Sequence, residues 1–502
     1  MYQSFIGLEV HIHLLSAKKV FCSCTAEFGA ESNTHVCPVC MGHPGVLPAL
    51  NMEAFELGAL VAHALHCQIP ETTWFERKQY FYPDMPKNYQ ISQFASPLGQ
   101  HGYIDIRVKD RIKRIRIKEC HLEEDAGKMI HAGNSSLLDY NRAGTALLEI
   151  VSEPDLETGD EAEAYIQQLR RMVRYLGVCD GNMEEGSLRA DANVSVNLRG
   201  AGLGRKVEIK NLNSSRFVRL ALDYEIARQT EVLKKGGTVL QETRLWNENR
   251  DQTETMRSKE DSHDYRFFPE PDLPVVQIGD EFRQRIAARM VELPLDREQR
   301  FVSDYGLTEG QAAYVCEERA LADYFEAVVR ACNRIPRAEA AYKTALWLAS
   351  DVKRILNRDN IDPASIDRWS FSPLRLAQLI EMLSLGTISG KIAKQVLELS
   401  VAEDRDPETI VAERGWQQIT DRNEIARITE QVCAQEAGTF QELQAAGTAG
   451  NTKRYATLAA YLVGKVLAAT EGRCDAVLAR EAVEALARGL QAAPSPEAAL
   501  RQ

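Results

Sequence analysis

The segment GLEVHIHL, residues 7–14, carries three side chains that could do chemistry. Glu9, His11 and His13 occupy alternate positions, and apolar residues fill the positions between them. Successive side chains of a β-strand point to opposite faces, so this spacing predicts a strand with one packed face and one face bearing a carboxylate and two imidazoles. Carboxylates and imidazoles bind metal ions and carry protons, which makes this face a candidate site.

Two further segments repeat the alternation, SLRADANVSVNL at 187–198 and KVEIKN at 206–211, and HLEEDAGK at 121–128 adds three consecutive acids. A one-sided sheet with a wet polar face would give the same pattern for any single strand. The recurring polar residues are Glu, Asp, Asn and His rather than a Lys/Glu/Thr mixture. This favours a hard cation such as magnesium, which prefers oxygen ligands.

Four of the eleven cysteines lie within residues 22–40, which read CSCTAEFGAESNTHVCPVC. The spacing is C-x-C, twelve residues, then C-x-x-C, and two close thiolate pairs suit tetrahedral zinc. The alternative is a set of free buried cysteines, against which the clustering argues. We therefore predict a closed, structural zinc site formed by Cys22, Cys24, Cys37 and Cys40.

The secondary structure that the sequence predicts changes along the chain. Up to about residue 290 the pattern has period two with many Gly, Pro and Asn residues, and from Pro294 it becomes helical, as in LADYFEAVVRAC. A second break falls in AEDRDPET, where Asp406 and Pro407 suit an N-cap followed by the first helical position. We predict three domains, 1–293, 294–405 and 406–502.

Composition limits the class of protein. A chain of 502 residues is too long for one core, and 44% hydrophobic and 26% charged residues are ordinary for a soluble globular protein. No apolar run approaches the roughly 20 residues of a membrane span, and no signal peptide is visible, so we expect a cytoplasmic protein. No G-x-x-x-x-G-K-[ST] motif occurs, which excludes a P-loop nucleotide site.

The segment YIDIRVKDRIKRIRIK, residues 103–118, carries seven basic and two acidic residues in a chain of net charge −12. An acidic total argues against non-specific nucleic-acid binding, but it allows a local basic patch. The segment could be an edge strand protected by lysine, or it could contact phosphates. Both interpretations stay open.

The chain resembles the B subunits of the aspartyl/glutamyl-tRNA(Asn/Gln) amidotransferases over nearly its whole length. The resemblance rests on long, ordered motifs: GLEVH, RKQYFYPDMPKNYQISQ, HLEEDAGK, DYNRAGTALLEIVSEPD, MEEGSLRADANVSV, KVEIKNLNS and RLWNENRDQTETMRSKEDSHDYRFFPEPDLP. It implies an α+β fold, with a glutamine-synthetase-like cradle domain built on an antiparallel sheet, an all-α helical domain and a small helical tail that binds tRNA. It also implies that ATP phosphorylates the side-chain carboxylate of Asp or Glu on mischarged Asp-tRNA(Asn) or Glu-tRNA(Gln), and that ammonia then displaces the phosphate.

The resemblance further implies which residues act. The catalytic residues would be Glu9, His11, Glu124 and Asp191, and these four with Glu184 would bind magnesium. Contacts to ATP or to the tRNA end would come from Lys87, Tyr89, Gln90, Arg189, Lys210 and Asn211. The implied partners are the amidase (A) subunit, the small (C) subunit, mischarged tRNA and a non-discriminating aminoacyl-tRNA synthetase. A different class of function, a tRNA-docking scaffold whose acids serve only structure, would leave these acids dispersed.

Overall fold

The computed structural model describes residues 2–256 and 265–489, and the chain divides into two compact units between Arg297 and Glu298. This division falls four residues after the predicted boundary at 293. It lies inside a helix that begins at Pro294.

The described part of the first unit contains fifteen strands and four complete helices. The strands are β1 (Tyr2–His13), β2 (Thr72–Thr73), β3 (Glu76–Gln79), β4 (Tyr89–Ser92), β5 (Gly99–Val108), β6 (Arg111–Glu124), β7 (Lys128–Ala132), β8 (Ser135–Asp139), β9 (Ala146–Ser152), β10 (Leu188–Leu198), β11 (Val207–Leu212), β12 (Thr243–Asn247), β13 (Gln252–Thr255), β14 (Phe268–Pro269) and β15 (Val276–Gln277). The helices are α1 (Met52–Ala64), α2 (Gly159–Leu176), α3 (Ser215–Lys234) and α4 (Asp280–Ala288).

An eight-stranded sheet dominates this unit, in the order β13-β12-β11-β10-β1-β9-β6-β5. Its neighbouring strands are antiparallel, except that β11 and β12 are parallel. Three small sheets accompany it: β14-β3-β4, β15-β2 and β7-β8. A large, mainly antiparallel sheet with separate helices agrees with the predicted α+β class.

The alternation read in the opening segment decides how β1 lies in this sheet. Leu8, Val10 and Ile12 are at most 1% exposed and belong to the main core, together with residues of α1 and α2. Because alternate side chains point to the opposite face, Glu9 and His11 lie on a half-buried polar side. The sheet therefore keeps its hydrophobic core on one face and leaves the other for polar residues.

The basic segment forms the β5–β6 hairpin, and β5 is the edge strand of the large sheet. Its cations pair with acids of the same unit: Arg114 with Asp105 at 2.9 Å, Arg116 with Asp155 at 2.6 Å and Lys113 with Glu161 at 2.7 Å. These contacts favour the edge-strand interpretation of this segment.

The second unit is helical. Its helices are α5 (Pro294–Tyr305, which begins just before the division), α6 (Glu309–Val315), α7 (Arg319–Ala331), α8 (Arg337–Trp347), α9 (Lys353–Arg358), α10 (Pro373–Ser384), α11 (Gly390–Glu403), α12 (Pro407–Arg414), α13 (Arg422–Gln435), α14 (Ala437–Thr448), α15 (Thr452–Ala469) and α16 (Ala476–Ala487). A π-helical turn, Leu348–Val352, joins α8 to α9, and a 3₁₀ helix spans Pro363–Arg368. In the described ranges, no helix is long and apolar enough to cross a membrane.

Two separate cores lie within the helical unit. Ile410 and Val411 of α12 belong to the first of them, so this core continues past the predicted boundary at residue 405. Asp406 is the N-cap of α12 as predicted, but its carboxylate accepts a hydrogen bond from Arg375 at 2.9 Å instead of capping the helix. The second core starts at Ile425, and residues 490–502 of the predicted tail lie outside the described residues.

Candidate active site

The strand register places functional side chains from five neighbouring strands on one side of the large sheet. Glu9 of β1 is paired with Asp191 of β10. His11 lies between Arg189 of β10 and Glu149 of β9. We call this side the polar face and define it by eight residues: Glu9, His11, His121, Glu123, Glu149, Arg189, Asp191 and Lys210.

Three residues of the polar face form a compact cluster. The His11 Nε2 atom lies 3.6 Å from a Glu149 carboxylate oxygen and 3.8 Å from a Glu123 carboxylate oxygen. One ligand atom from each residue lies within 4.8 Å of the other two. Two carboxylates and an imidazole at this spacing fit a divalent cation.

The pKa shifts of Glu149 and Lys78 also support a cation site at this cluster. Burial raises the pKa of Glu149, and the negative charge of nearby Glu123 raises it further. Burial disfavours the charged form of Lys78, but the carboxylates of Glu123 and Glu149 outweigh it and raise the pKa of this lysine. Negative charge is thus concentrated here, and a cation between the two carboxylates would relieve their repulsion.

The neighbouring part of the polar face is a network of charged residues. The Asn193 amide donates to Glu9 at 2.8 Å, and the Lys210 ammonium donates to Asp191 at 2.7 Å. Lys210 also lies 3.0 Å from Glu208, and these carboxylates raise the pKa of Lys210 although burial opposes the shift. Both predicted acids, Glu9 and Asp191, therefore lie next to the cluster and hold specific partners.

Arg189 lies at the other end of the same row and is tied to Asp125. Its guanidinium donates to the Asp125 carboxylate at 2.8 Å, and His13 Nε2 contacts the same oxygen at 2.6 Å. Burial would raise the pKa of Asp125, but the charges of Arg189 and Arg142 and the contact with His13 hold it well below its usual range. His13 thus binds a carboxylate and lies outside the cluster of His11.

Glu124 lies on the other face of the sheet from Glu123, because the two are consecutive in β6. Lys87 Nζ lies 2.5 Å from the Glu124 carboxylate, and the backbone N–H of Ile91 donates to it at 2.8 Å. The Gln90 side chain donates to the backbone carbonyl of Glu124 at 2.7 Å. The structure therefore brings three predicted site residues together, but away from His11.

The other predicted residues lie elsewhere in the first unit. Tyr89 packs under the Arg77 guanidinium, 4.4 Å from its ring centre. Asn211 has a left-handed backbone conformation, with φ of 66°, and donates to the Trp246 carbonyl at 3.0 Å. Glu184 is exposed in the turn before β10. In the described residues, neither Asn211 nor Glu184 joins the cluster.

The four cysteines form a second candidate metal centre. One sulfur atom from each of Cys22, Cys24, Cys37 and Cys40 lies within 4.8 Å of the others. Lys19 is fully buried beside them, and its ammonium contacts the Cys40 sulfur at 3.7 Å. A buried cation requires nearby negative charge, so this lysine fits a site of metal-bound thiolates.

Comparison with known proteins identifies the family of this chain. A family model described as the GatB/GatE catalytic domain matches residues 4–284, and one described as the GatB domain matches residues 323–486. The chain is 45% identical over 480 residues to an aspartyl/glutamyl-tRNA(Asn/Gln) amidotransferase B subunit from Carboxydothermus hydrogenoformans, covering 94% of this chain and 96% of that protein. A protein of the same name from Persephonella marina is 43% identical over 486 residues, covering 97% and 99%.

The chain belongs to the family of amidotransferase B subunits. The resemblance read from the sequence motifs is thereby confirmed. As a member of this family, the chain is one component of a tRNA-dependent amidotransferase, which is an ATP-dependent ligase.

Sequence reasoning missed Glu123 and Glu149 on the polar face of this family member, and it also missed Lys78, which lies near them on β3. Glu149 could have been identified from the sequence, because in ALLEIVS it is the single charged residue of a largely apolar strand. Glu123 was visible among three consecutive acids, but adjacent strand residues point to opposite faces and the segment alone did not identify its face. Lys78 lies on a short strand and gave no comparable pattern.

Proposed function

We propose that this chain carries the activation and amidation steps of a tRNA amidotransferase. ATP phosphorylates the side-chain carboxylate of Asp or Glu on mischarged Asp-tRNA(Asn) or Glu-tRNA(Gln), and ammonia displaces the phosphate to form the amide. The observation that carries this proposal is the cluster of His11, Glu123 and Glu149. A scaffold without chemistry has no need to hold two carboxylates together so that the pKa of Glu149 is raised.

In this proposal, His11, Glu123 and Glu149 hold magnesium, with Glu9 and Asp191 beside it. When bound, magnesium neutralises charge between a carboxylate and a triphosphate. The imidazole of His11 must be neutral and both carboxylates deprotonated to act as ligands.

Three cations on or beside the polar face complement this arrangement. Lys210 holds Asp191 and Glu208, Arg189 holds Asp125, and Lys78 faces the cluster. We propose that these side chains orient phosphate oxygens and the acceptor carboxylate over the sheet. Lys and Arg are suited to this because they donate several charge-assisted hydrogen bonds.

The remaining predicted site residues have a different role in the proposal. Lys87, Tyr89, Gln90 and Asn211 remain predicted contacts of ATP or the tRNA end. Lys87 and Gln90 already donate to Glu124, so contact with a substrate would require an exchange of partners. Glu124 and Glu184 were predicted to bind magnesium. Glu124 is paired with Lys87 and Glu184 is exposed, so both are better suited to roles other than binding a cation at the cluster.

We further propose how the chain is organised and partnered. Residues 1–293 would form a glutamine-synthetase-like cradle, 294–405 a helical domain, and 406–502 a tail that binds tRNA. The amidase (A) subunit would supply ammonia, the small (C) subunit would complete the complex, and a non-discriminating aminoacyl-tRNA synthetase would supply the mischarged tRNA. The four-cysteine site would hold structural zinc, and the complex would act in the cytoplasm.

The test measures amide formation on each mischarged tRNA by the complex reconstituted with its partner subunits, using free ammonia as the nitrogen donor. Glu149→Gln should lose at least about 10²-fold in rate, the scale seen when one electrostatic group is removed from a site. Glu231→Gln, at a residue that is 57% exposed on α3, is the matched control and should keep the wild-type rate. A normal rate for Glu149→Gln in an intact complex would leave the scaffold as the better explanation.

A further inference from the structure

The loop that carries the four cysteines contacts Lys87 directly. The turn after Cys40 brings Gly42 against this lysine in a left-handed conformation, with φ of 66°. A Cβ atom on Gly42 would lie 2.6 Å from the Lys87 Cγ atom and 3.1 Å from its Cα atom. This approach leaves room only for glycine, so the position of the loop and the position of Lys87 are linked.

Lys19 connects the cysteines to the same region from the other side. Its fully buried ammonium donates to the carbonyls of His35 at 2.7 Å and Tyr140 at 3.3 Å, and it contacts the Cys40 sulfur. These partners carry no full negative charge unless the sulfur is a thiolate. Four thiolates bound to a divalent cation carry a net charge of −2. This negative charge compensates the buried ammonium of Lys19 only when the metal is bound.

Gly144 lies between Lys19 and the Glu124 carboxylate that binds Lys87. A Cβ atom on Gly144 would lie 3.4 Å from the Lys19 Cδ atom, 3.6 Å from the Cys40 Cβ atom and 3.9 Å from a Glu124 carboxylate oxygen. The cysteine site and the Lys87–Glu124 pair therefore share one packed region.

Lys87 itself lies in the irregular segment between β3 and β4, where regular strand pairing does not hold it. Its side chain is nevertheless only 8% exposed, and that of Glu124 is 3% exposed. Lys87 contacts Glu124, the ring of Tyr89, whose centre lies 5.6 Å from its ammonium, and the turn of the cysteine loop at Gly42.

We propose that the metal-loaded four-cysteine loop is a clamp that holds Lys87 on Glu124. Gly42 is the contact between the loop and Lys87, and Lys19 is the cation that balances the charge of the metal-bound thiolates. The four-cysteine site therefore does more than stabilise its own loop. Whether it holds a metal sets the position of the Lys87–Glu124 ion pair. This inference does not depend on the role proposed for the polar face.

The test is the rate at which the Lys87 amine is acylated, followed by mass spectrometry on the full chain in its complex. Gly42→Ala should raise this rate about tenfold or more, as expected for local opening of a buried segment. Gly45→Ala is the matched control, because Gly45 lies in the same loop with φ of 85° but has no atom within 4 Å of its Cβ position. Lys113, on β6 and paired with Glu161, reports whether the sheet stays folded and should keep its rate in both variants.

Zinc removal and Lys19→Met supply the second arm of the test. Removing zinc with a chelator should expose Lys87 as Gly42→Ala does, while Lys113 keeps its rate. Lys19→Met should release zinc to the chelator about 10-fold faster or more, the range known for residues that support metal ligands. Gly42→Ala should retain zinc, since the cysteines are unchanged. Equal protection of Lys87 in the Gly42→Ala and Gly45→Ala variants, or after zinc loss with Lys113 unchanged, would overturn the proposal.

Discussion

Glu149 of β9 lies directly across from His11 of β1, with 3.6 Å between its carboxylate oxygen and the imidazole Nε2 atom. Glu123 reaches the same nitrogen from β6, on the far side of β9. Three strands that are distant in sequence thus each contribute one ligand atom. Since each ligand is fixed by strand pairing, the cluster is held by the most regular part of the fold.

The raised pKa of Glu149 predicts a cost in stability that magnesium should remove. A carboxyl group with a raised folded pKa stabilises the fold below its unfolded pKa, and this contribution is lost as the pH rises through the folded pKa. At pH 8 without metal, Glu149→Gln should therefore raise the free energy of unfolding, by a gain on the order of 1 kcal/mol that is typical of one substitution.

The measurement is chemical denaturation at several pH values, with and without magnesium. The advantage of Glu149→Gln should shrink as the pH approaches about 4, near the unfolded pKa of a glutamate. It should also vanish or reverse when magnesium is added, because only the wild-type protein gains binding energy. A variant that is equally stabilised with and without magnesium contradicts a cation at this site.

The four cysteines should bind one zinc ion per chain, with Zn–S distances near ~2.3 Å. Metal analysis and X-ray absorption of the purified protein measure this directly. Cys24→Ser should reduce the zinc content below about half an equivalent, since a tetrahedral site loses one of its ligands. Cys179→Ser, at a buried cysteine on a different segment, is the control and should keep full zinc.

How far the sequence could predict this site depends on the kind of information each residue carried. The alternation around Glu9 and Asp191 predicted that both acids face one side, and the pairing of β1 with β10 places them opposite each other. Alternation is a local pattern, so it predicts which residues share a face even when the order of the strands in the sheet is unknown. The C-x-C and C-x-x-C pairs were equally local, and their sulfur atoms do converge.

The remainder of the site depended on contacts far apart in sequence. Glu149 joins His11 only because β9 inserts between β1 and β6, an order that no local pattern encodes. In HLEEDAGK the resemblance singled out Glu124 and not Glu123, yet the one-residue step puts Glu124 on the opposite face, where it meets Lys87. Helix α12 likewise packs into the core of the preceding helices, a contact that the residues at its N-cap do not encode.

The tail should bind tRNA phosphates, and its affinity should therefore weaken with salt. Lys453 and Arg454 are exposed at the start of α15, at the N-terminal end of a helix, where positive charge is unfavourable for the helix, and Arg454 pairs with Glu442 at 2.6 Å. Reversing both charges should raise the KM for tRNA and lower the slope of log Kd against log salt by about 2, one for each lost phosphate contact.

The control for the tail is Lys394→Glu in the helical region, at a side chain that is 61% exposed and paired with Asp351. It should leave the salt slope unchanged. Turnover with ammonia at saturating tRNA should stay near the wild-type value for the tail variant, since the reacting end is bound elsewhere. An unchanged salt slope in the tail variant would show that other residues bind the tRNA backbone.

Glu9 offers the sharpest separation between chemistry and structure. Its carboxylate accepts a hydrogen bond from the Asn193 amide at 2.8 Å, and glutamine in its place keeps an oxygen that can accept the same bond. Glu9→Gln should therefore fold and assemble normally, with an unchanged melting temperature, while the charge offered to a hard cation is lost. We expect amidation to fall by at least about 10²-fold, as for other electrostatic groups of active sites.

Free ammonia should not rescue Glu9→Gln, because the missing step is activation of the carboxylate and not delivery of nitrogen. Glutamine hydrolysis by the proposed amidase partner should continue, since our proposal places that active site in another chain. Asn193→Ala, which removes the donor and leaves the Glu9 charge in place, is the matched variant and should lose less activity than Glu9→Gln. If Glu9→Gln instead lowers the melting temperature and prevents assembly while the intact fraction remains fully active, the row of polar residues on β1 serves structure alone.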